Sequence, residues 1–157
     1  MSRPTSISIL LYALAPLAAG CSSTSGDAGP PPTVQLVSGG PARIEVRISG
    51  SDGLRALQGT LIYDAAAVAI AEVTAGGDAA RIDRVFSTPP DKAAGRLVVG
   101  LTDTRRVKLP ASGSLLWLRL SAPPQADTAL RLAEIVGVRE GGRPVELADA
   151  ALELSKR

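Results

Sequence analysis

Residues 57–64 read Leu-Gln-Gly-Thr-Leu-Ile-Tyr-Asp. Leu57, Gly59, Leu61 and Tyr63 share one side, because side chains alternate across an extended chain. A helix would need its apolar residues three and four apart, so this stretch is a strand with one face turned inward. Gly59 inside it signals a bulge or a close approach of another backbone. One strand cannot bury its face alone, and the flanking sequence supplies more of them.

Upstream, residues 42–49 place Ile44, Val46 and Ile48 opposite Arg43, Glu45 and Arg47, a second half-buried strand that turns at Gly50–Gly53. The period of two begins at Thr33. Downstream, strands are expected at Arg81–Ser87, Arg96–Thr102, Ser114–Ser121, Ala129–Val138, Pro144–Leu147 and Ala150–Leu154. In Ser114–Ser121, Leu116, Leu118 and Leu120 alternate with Leu115, Trp117 and Arg119. Residues 65–73 are Ala-rich and fit either a strand through Val68, Ile70 and Val73 or a helical turn followed by one. Pro89-Pro90, Pro110, Pro123-Pro124 and Gly141-Gly142 punctuate the gaps with turn chemistry. About eight or nine short strands at this spacing make an all-β sandwich.

Composition narrows the chemistry. The chain has 157 residues, no histidine and one cysteine. Without histidine the commonest general base and metal ligand is missing. One cysteine allows neither an internal disulfide nor a thiolate cluster. No Ser-His-Asp set, phosphate-binding glycine loop or metal-ligand spacing is present, so no catalytic residue, metal site or cofactor is expected. Scattered acids such as Asp52, Asp103 and Asp127 lack calcium-loop spacing. Outside the leader the chain carries 16 Lys and Arg against 15 Asp and Glu, a balance that does not suit nucleic-acid binding.

The first 20 residues form an export signal: Arg3 is the positive end, residues 7–19 are apolar, and Ala18-Ala19-Gly20 are small. The apolar run is shorter than the ~20 residues of a spanning helix and contains Pro16. Leu17-Ala18-Ala19-Gly20-Cys21 resembles the lipobox of bacterial lipoproteins, with Leu one place earlier than is usual. The resemblance implies cleavage before Cys21 and three acyl chains on that cysteine, an effectively permanent membrane anchor. Ser22 stands where an inner-membrane retention signal would carry Asp. In a cell with two membranes, the outer one is therefore the expected destination. Residues 21–32 are read as the lipidated cysteine and a polar, Pro-rich tether, and residues 33–157 as the folded domain.

Within that domain, Leu57–Asp64 followed by Val68 and Val73, the Gly113–Leu120 strand and the Val138–Leu154 closing hairpin resemble, in order, the cohesin domain. Ala65 stands where that family usually has Pro, and Gly59 where it has a large apolar residue. The resemblance implies a jelly-roll sandwich related to certain carbohydrate-binding modules. It also implies a non-catalytic binding or scaffolding role in the cell envelope. Cohesins bind dockerins, small calcium-dependent helical modules, through one sheet face; a protein partner met by a sheet face is expected here, with a dockerin-like module as one candidate, since no recognition residue is identifiable in this sequence. Polysaccharide is the alternative.

Three residues are binding candidates. Asp64 reads as a turn-closing acceptor or a ligand, Tyr63 as a packed residue or a sugar platform. Trp117 reads as an exposed contact or a partly buried one. Arg105, Arg106 and Lys108 form a basic cluster, read as a solvated loop or as a contact for lipid headgroups or an acidic partner. Cys21→Ser should abolish acyl labelling and release or stall the precursor. Unchanged membrane retention of that variant would contradict the anchor.

Overall fold

The computed structural model describes residues 31–89, 94–105 and 107–156; the leader, Cys21 and most of the tether lie outside the described residues. Ten strands follow in order: β1 Thr33–Ser38, β2 Arg43–Ser49, β3 Leu54–Tyr63, β4 Ile70–Ala75, β5 Arg84–Ser87, β6 Arg96–Thr102, β7 Ser112–Leu120, β8 Thr128–Arg139, β9 Pro144–Leu147 and β10 Ala150–Leu154. They form two sheets. One has the order β1-β2-β7-β4; the other runs β10-β8-β3-β6-β5, with β9 also on β8. Every pairing is antiparallel.

The inner faces are the alternating apolar residues. Ile44, Val46, Ile48, Leu116, Leu118 and Leu120 come from the four-stranded sheet, and Leu57, Leu61, Leu97, Val99, Leu101, Leu130 and Leu132 from the other, all buried in one cluster. Each such side chain contributes roughly 1.5–3 kcal/mol on leaving water. Pro32, assigned above to the tether, is already buried, so packing begins just before β1.

Two irregularities shape the sheets. In the β3–β8 pairing the register shifts between Gln58 and Thr60, which pair with Val136 and Ala133 respectively. Glu134 and Ile135 on β8 together oppose Gly59, a bulge of one extra residue. A Cβ at Gly59 would meet the Leu132 side chain at 3.0 Å. The bulge reading of Gly59 therefore holds, with the bulge on the partner strand, while the close approach is of side chains and not of another backbone. In the β2–β7 pairing a shift between Val46 and Arg47 turns Leu115 inward, and it is fully buried. Leu115 thus departs from the outward side that simple alternation assigns to it.

Residues 65–73 divide in two. Ala67 N and Val68 N both donate to Asp64 O, closing one tight turn, and β4 starts at Ile70. The strand expected at Arg81–Ser87 begins only at Arg84. Residues 81–83 instead continue the turn that follows the 3-10 segment Gly77–Ala79, where Ile82 N bonds Ala79 O and the Ile82 side chain is buried. An isolated Ile within a charged run gives the same alternation whether it belongs to a strand or caps a turn.

One buried acid fixes the loop after β6. Asp103 Oδ1 accepts from Arg105 N (2.7 Å) and Val107 N (3.3 Å), and Oδ2 from Asp83 N (3.2 Å) and Arg105 Nη2 (3.0 Å). The Arg105 hydrogen bond leads, with the backbone N–H groups adding to it against the cost of desolvation, in holding the Asp103 carboxyl at about 2. Asp83 is lowered too, chiefly by the Thr104 hydroxyl. Because the folded value lies below the unfolded one of about 4, the ionised form stabilises the fold above that pH. That contribution should fade as pH falls from about 4 towards about 2. Asp103→Asn should lower Tm at pH 7 by several degrees and flatten the acid limb of Tm against pH. An unchanged acid limb would contradict the assignment.

Candidate interaction surface

The two outer faces differ in what their alternate residues do. On the four-stranded sheet, β2 presents Arg43, Glu45 and Arg47, β7 presents Trp117 and Arg119, and β4 presents Glu72 and Thr74. Glu45 lies 3.8 Å from Arg43 and 3.5 Å from Arg47, and Arg119 Nε is 3.0 Å from Glu72. The Arg43 guanidinium sits 4.9 Å from the centre of the Trp117 ring, a cation–π contact. Trp117 Nε1 donates to Ser114 Oγ at 2.8 Å. The tryptophan thus has both its polar handle and its π-system engaged by its own chain. A depression of about 580 Å³ beside it is lined by Pro41, Ala42, Thr74 and Leu120 among others.

The outer face of the six-stranded sheet is built differently. The pairings line up rows across it. Phe86 stands beside Gly100, Gln58 and Val136; Val98 beside Thr60 and Ala133; Arg96 beside Ile62 and Arg131. Ala56, Ile62, Val98, Val136 and Val138 are half-buried with no layer above them among the described residues, and Phe86 is 38% exposed. The Phe86 ring lies over Gly100, where a Cβ would come within 2.4 Å of it. An antiparallel sheet with one solvated face ordinarily carries polar residues there, so these apolar positions mark a surface suited to another protein.

Charge rims this face on the β8 side. Glu134, on the bulge, has a positive φ of 53°, a strained value for a non-glycine residue. Its Oε2 accepts from Thr60 Oγ1 at 2.8 Å and lies 3.4 Å from Arg96. Its N–H donates to Asp149 Oδ1 at 3.2 Å, and Asp149 also pairs with Arg131. Together with Ile62 and Glu146 they enclose a depression of about 550 Å³.

The residues singled out in the sequence do not converge. Tyr63 is buried in the core at the end of β3, 7% exposed, and its N–H bonds Gly95 O. Asp64 follows it at the surface, where its Oδ1 accepts from Ala66 N at 2.8 Å, an Asx turn. Trp117 is on the opposite sheet. In the basic cluster, Arg105 pairs with Asp103, and Lys108 lies 3.6 Å from Glu140; Arg106 lies outside the described residues. Sequence reasoning passed over Ile62, Val98, Val136 and Glu134. The available signal was an apolar residue at the outward position of strands β3, β6 and β8, where β2 has charge.

No family model matches the chain, and no curated protein matches it. Solved structures do. A non-cellulosomal cohesin from the archaeon Archaeoglobus fulgidus matches with a TM-score of 0.63 and 17% identity, over 79% of this chain and 91% of its own. A type I cohesin–dockerin complex from Clostridium thermocellum gives 0.64 and 15%, over 85% and 99%. The cohesin module of a Clostridium perfringens family 33 glycoside hydrolase gives 0.62 and 15%, over 81% and 96%. At such identities the likeness is one of fold, and the fold of this domain is the two-sheet sandwich of cohesin modules.

Proposed function

We propose that this chain is an exported lipoprotein, anchored by lipid on Cys21, that presents a non-catalytic cohesin-like module to a protein partner in the cell envelope. The outer face of the six-stranded sheet is the binding surface. The observation that carries this is the apolar strip of Phe86, Val98, Ile62 and Val136, left open and rimmed by Arg96, Arg131 and Glu134. An apolar centre within a charged rim is the usual anatomy of a protein–protein interface. A dockerin-like module is the favoured partner, because several of the similar structures are cohesins solved in complex with dockerins. In a cell with two membranes the outer one is the proposed site of anchoring.

Polysaccharide binding at the Trp117 depression is the second reading, favoured by an aromatic ring beside a hydrogen-bonding Arg119–Glu72 pair. It ranks lower because Arg43 already occupies the ring's vicinity and Ser114 its N–H.

Affinity capture from the organism's envelope and secreted fractions, with and without calcium, separates the readings. Val98→Glu should reduce capture of the partner at least tenfold, the size expected for a charge placed at an interface centre, with Tm nearly unchanged. Trp117→Ala should leave capture intact. The opposite pattern, with retention on insoluble polysaccharide that Trp117→Ala abolishes, would overturn the proposal. Turnover of any substrate by the domain would overturn its non-catalytic part.

A further inference from the structure

The described chain enters through Pro31 and Pro32 into β1, whose Thr33 pairs with Ser49. Ser49 in turn pairs with Ser112, Ser51 N bonds Ala111 O, and Leu109 N bonds Leu54 O. Leu54 pairs with Arg139, and Glu140 N bonds Gly53 O. These contacts gather the entry of the chain, the turn at 50–53, the loop after β6 and the β8–β9 turn at one end of the sandwich. From Cys21 to Pro31 the extended reach is on the order of 35 Å. A lipidated Cys21 therefore attaches the domain to the bilayer from this end and holds it within that reach.

That end has a particular chemistry. Val107 is one of the two exposed large apolar side chains among the described residues, 38% exposed, and stands between Arg105 and Lys108 in the chain region after β6. The acids around it are already engaged. Asp103 is paired with Arg105, and Glu140 with Arg55 and Lys108, while Asp83 binds Thr104. Asp78 accepts from Ser114 N. Among the described residues no ion pair holds Arg81, Arg139 or Arg143 at this end, while the exposed Asp52 is the acid there without a partner. The opposite end carries both signs at its surface, Asp64, Asp127 and Glu153 beside Arg43, Arg96 and Lys156.

We propose that this end docks on an anionic bilayer, with Val107 at headgroup level and the exposed Arg81 and Arg143 against the lipid phosphates. The inference rests on the anchor assigned to Cys21. An exposed apolar side chain set among cations is the composition of an interfacial contact, where apolar burial and attraction to anionic lipid act together. The docked pose turns both outer sheet faces sideways, so the six-stranded face stays open to a partner.

Acylation of Cys21 leaves an introduced cysteine as the sole free thiol, which makes the test direct. Lipidated Val107→Cys and Ala126→Cys proteins, each carrying an environment-sensitive fluorophore, are reconstituted in phosphatidylcholine vesicles with and without phosphatidylglycerol. A bilayer-located quencher should quench the Val107→Cys label several-fold more than the Ala126→Cys label when phosphatidylglycerol is present. Adding Arg81→Glu and Arg143→Glu should remove most of that difference. Equal quenching at the two sites, or none at position 107, overturns the docking. The mass of Cys21 is read on the same samples. A missing acyl mass sinks the anchor alone, and docking is then decided by the same comparison on Cys21→Ser proteins, each carrying the single labelled cysteine and held on nickel-chelating lipid through an N-terminal hexahistidine tag.

Discussion

The hydrophobic layer between the two sheets is the constraint on which the rest depends. Cys21 is the chain's only cysteine and lies before the domain, so no disulfide supports the sandwich. Leu61, Leu101, Leu116, Leu118 and Leu130 are fully buried in that layer. Side chains that alternate strictly must send every second residue outward once these point inward. The identity of the outer faces is thus set by the same register that closes the core, and a one-residue slip would exchange the two.

The bulges adjust that bargain locally. The shift in β2–β7 brings Leu115 into the core and leaves Trp117 on the outside, where Arg43 and Ser114 hold it. The shift in β3–β8 releases Glu134 into a left-handed conformation and lets it reach Thr60 on β3 and Arg96 on β6 across the same outer face. One face is thereby filled by its own ion pairs and a stacked arginine. The other is apolar at its centre and charged only at its rim. Exposed ion pairs add little to stability, so the difference between the faces bears on binding more than on folding.

Much of the fold was legible because it follows from periodicity. The alternation in residues 42–49 and 57–63 became β2 and β3 with the inward side as read, and Gly59 marked the β8 bulge. The start of β5 was not legible, since Ile82 packs from a turn and not from a strand. Nor was the proposed binding surface, for a general reason. Sequence reading singled out Tyr63, Asp64 and Trp117 for their chemistry, yet the surface consists of ordinary residues in unusual positions. Val98 and Val136 look like core until the pairing partners are known and their side of the sheet is fixed. Glu134 is unremarkable in sequence, because its strain arises from a register shift against a strand distant in the chain, with Thr60 and Glu134 74 residues apart.

The central claim is that the six-stranded sheet, and not the tryptophan-bearing one, meets the partner. The most direct measurement is an NMR titration of the chain with its captured partner, following side-chain methyl signals and the single indole N–H. The account predicts that the methyls of Ile62, Val98 and Val136 shift or broaden while the Trp117 indole signal and the methyls of the four-stranded sheet stay in place. A moving indole signal with unperturbed Val98 and Val136 would contradict it.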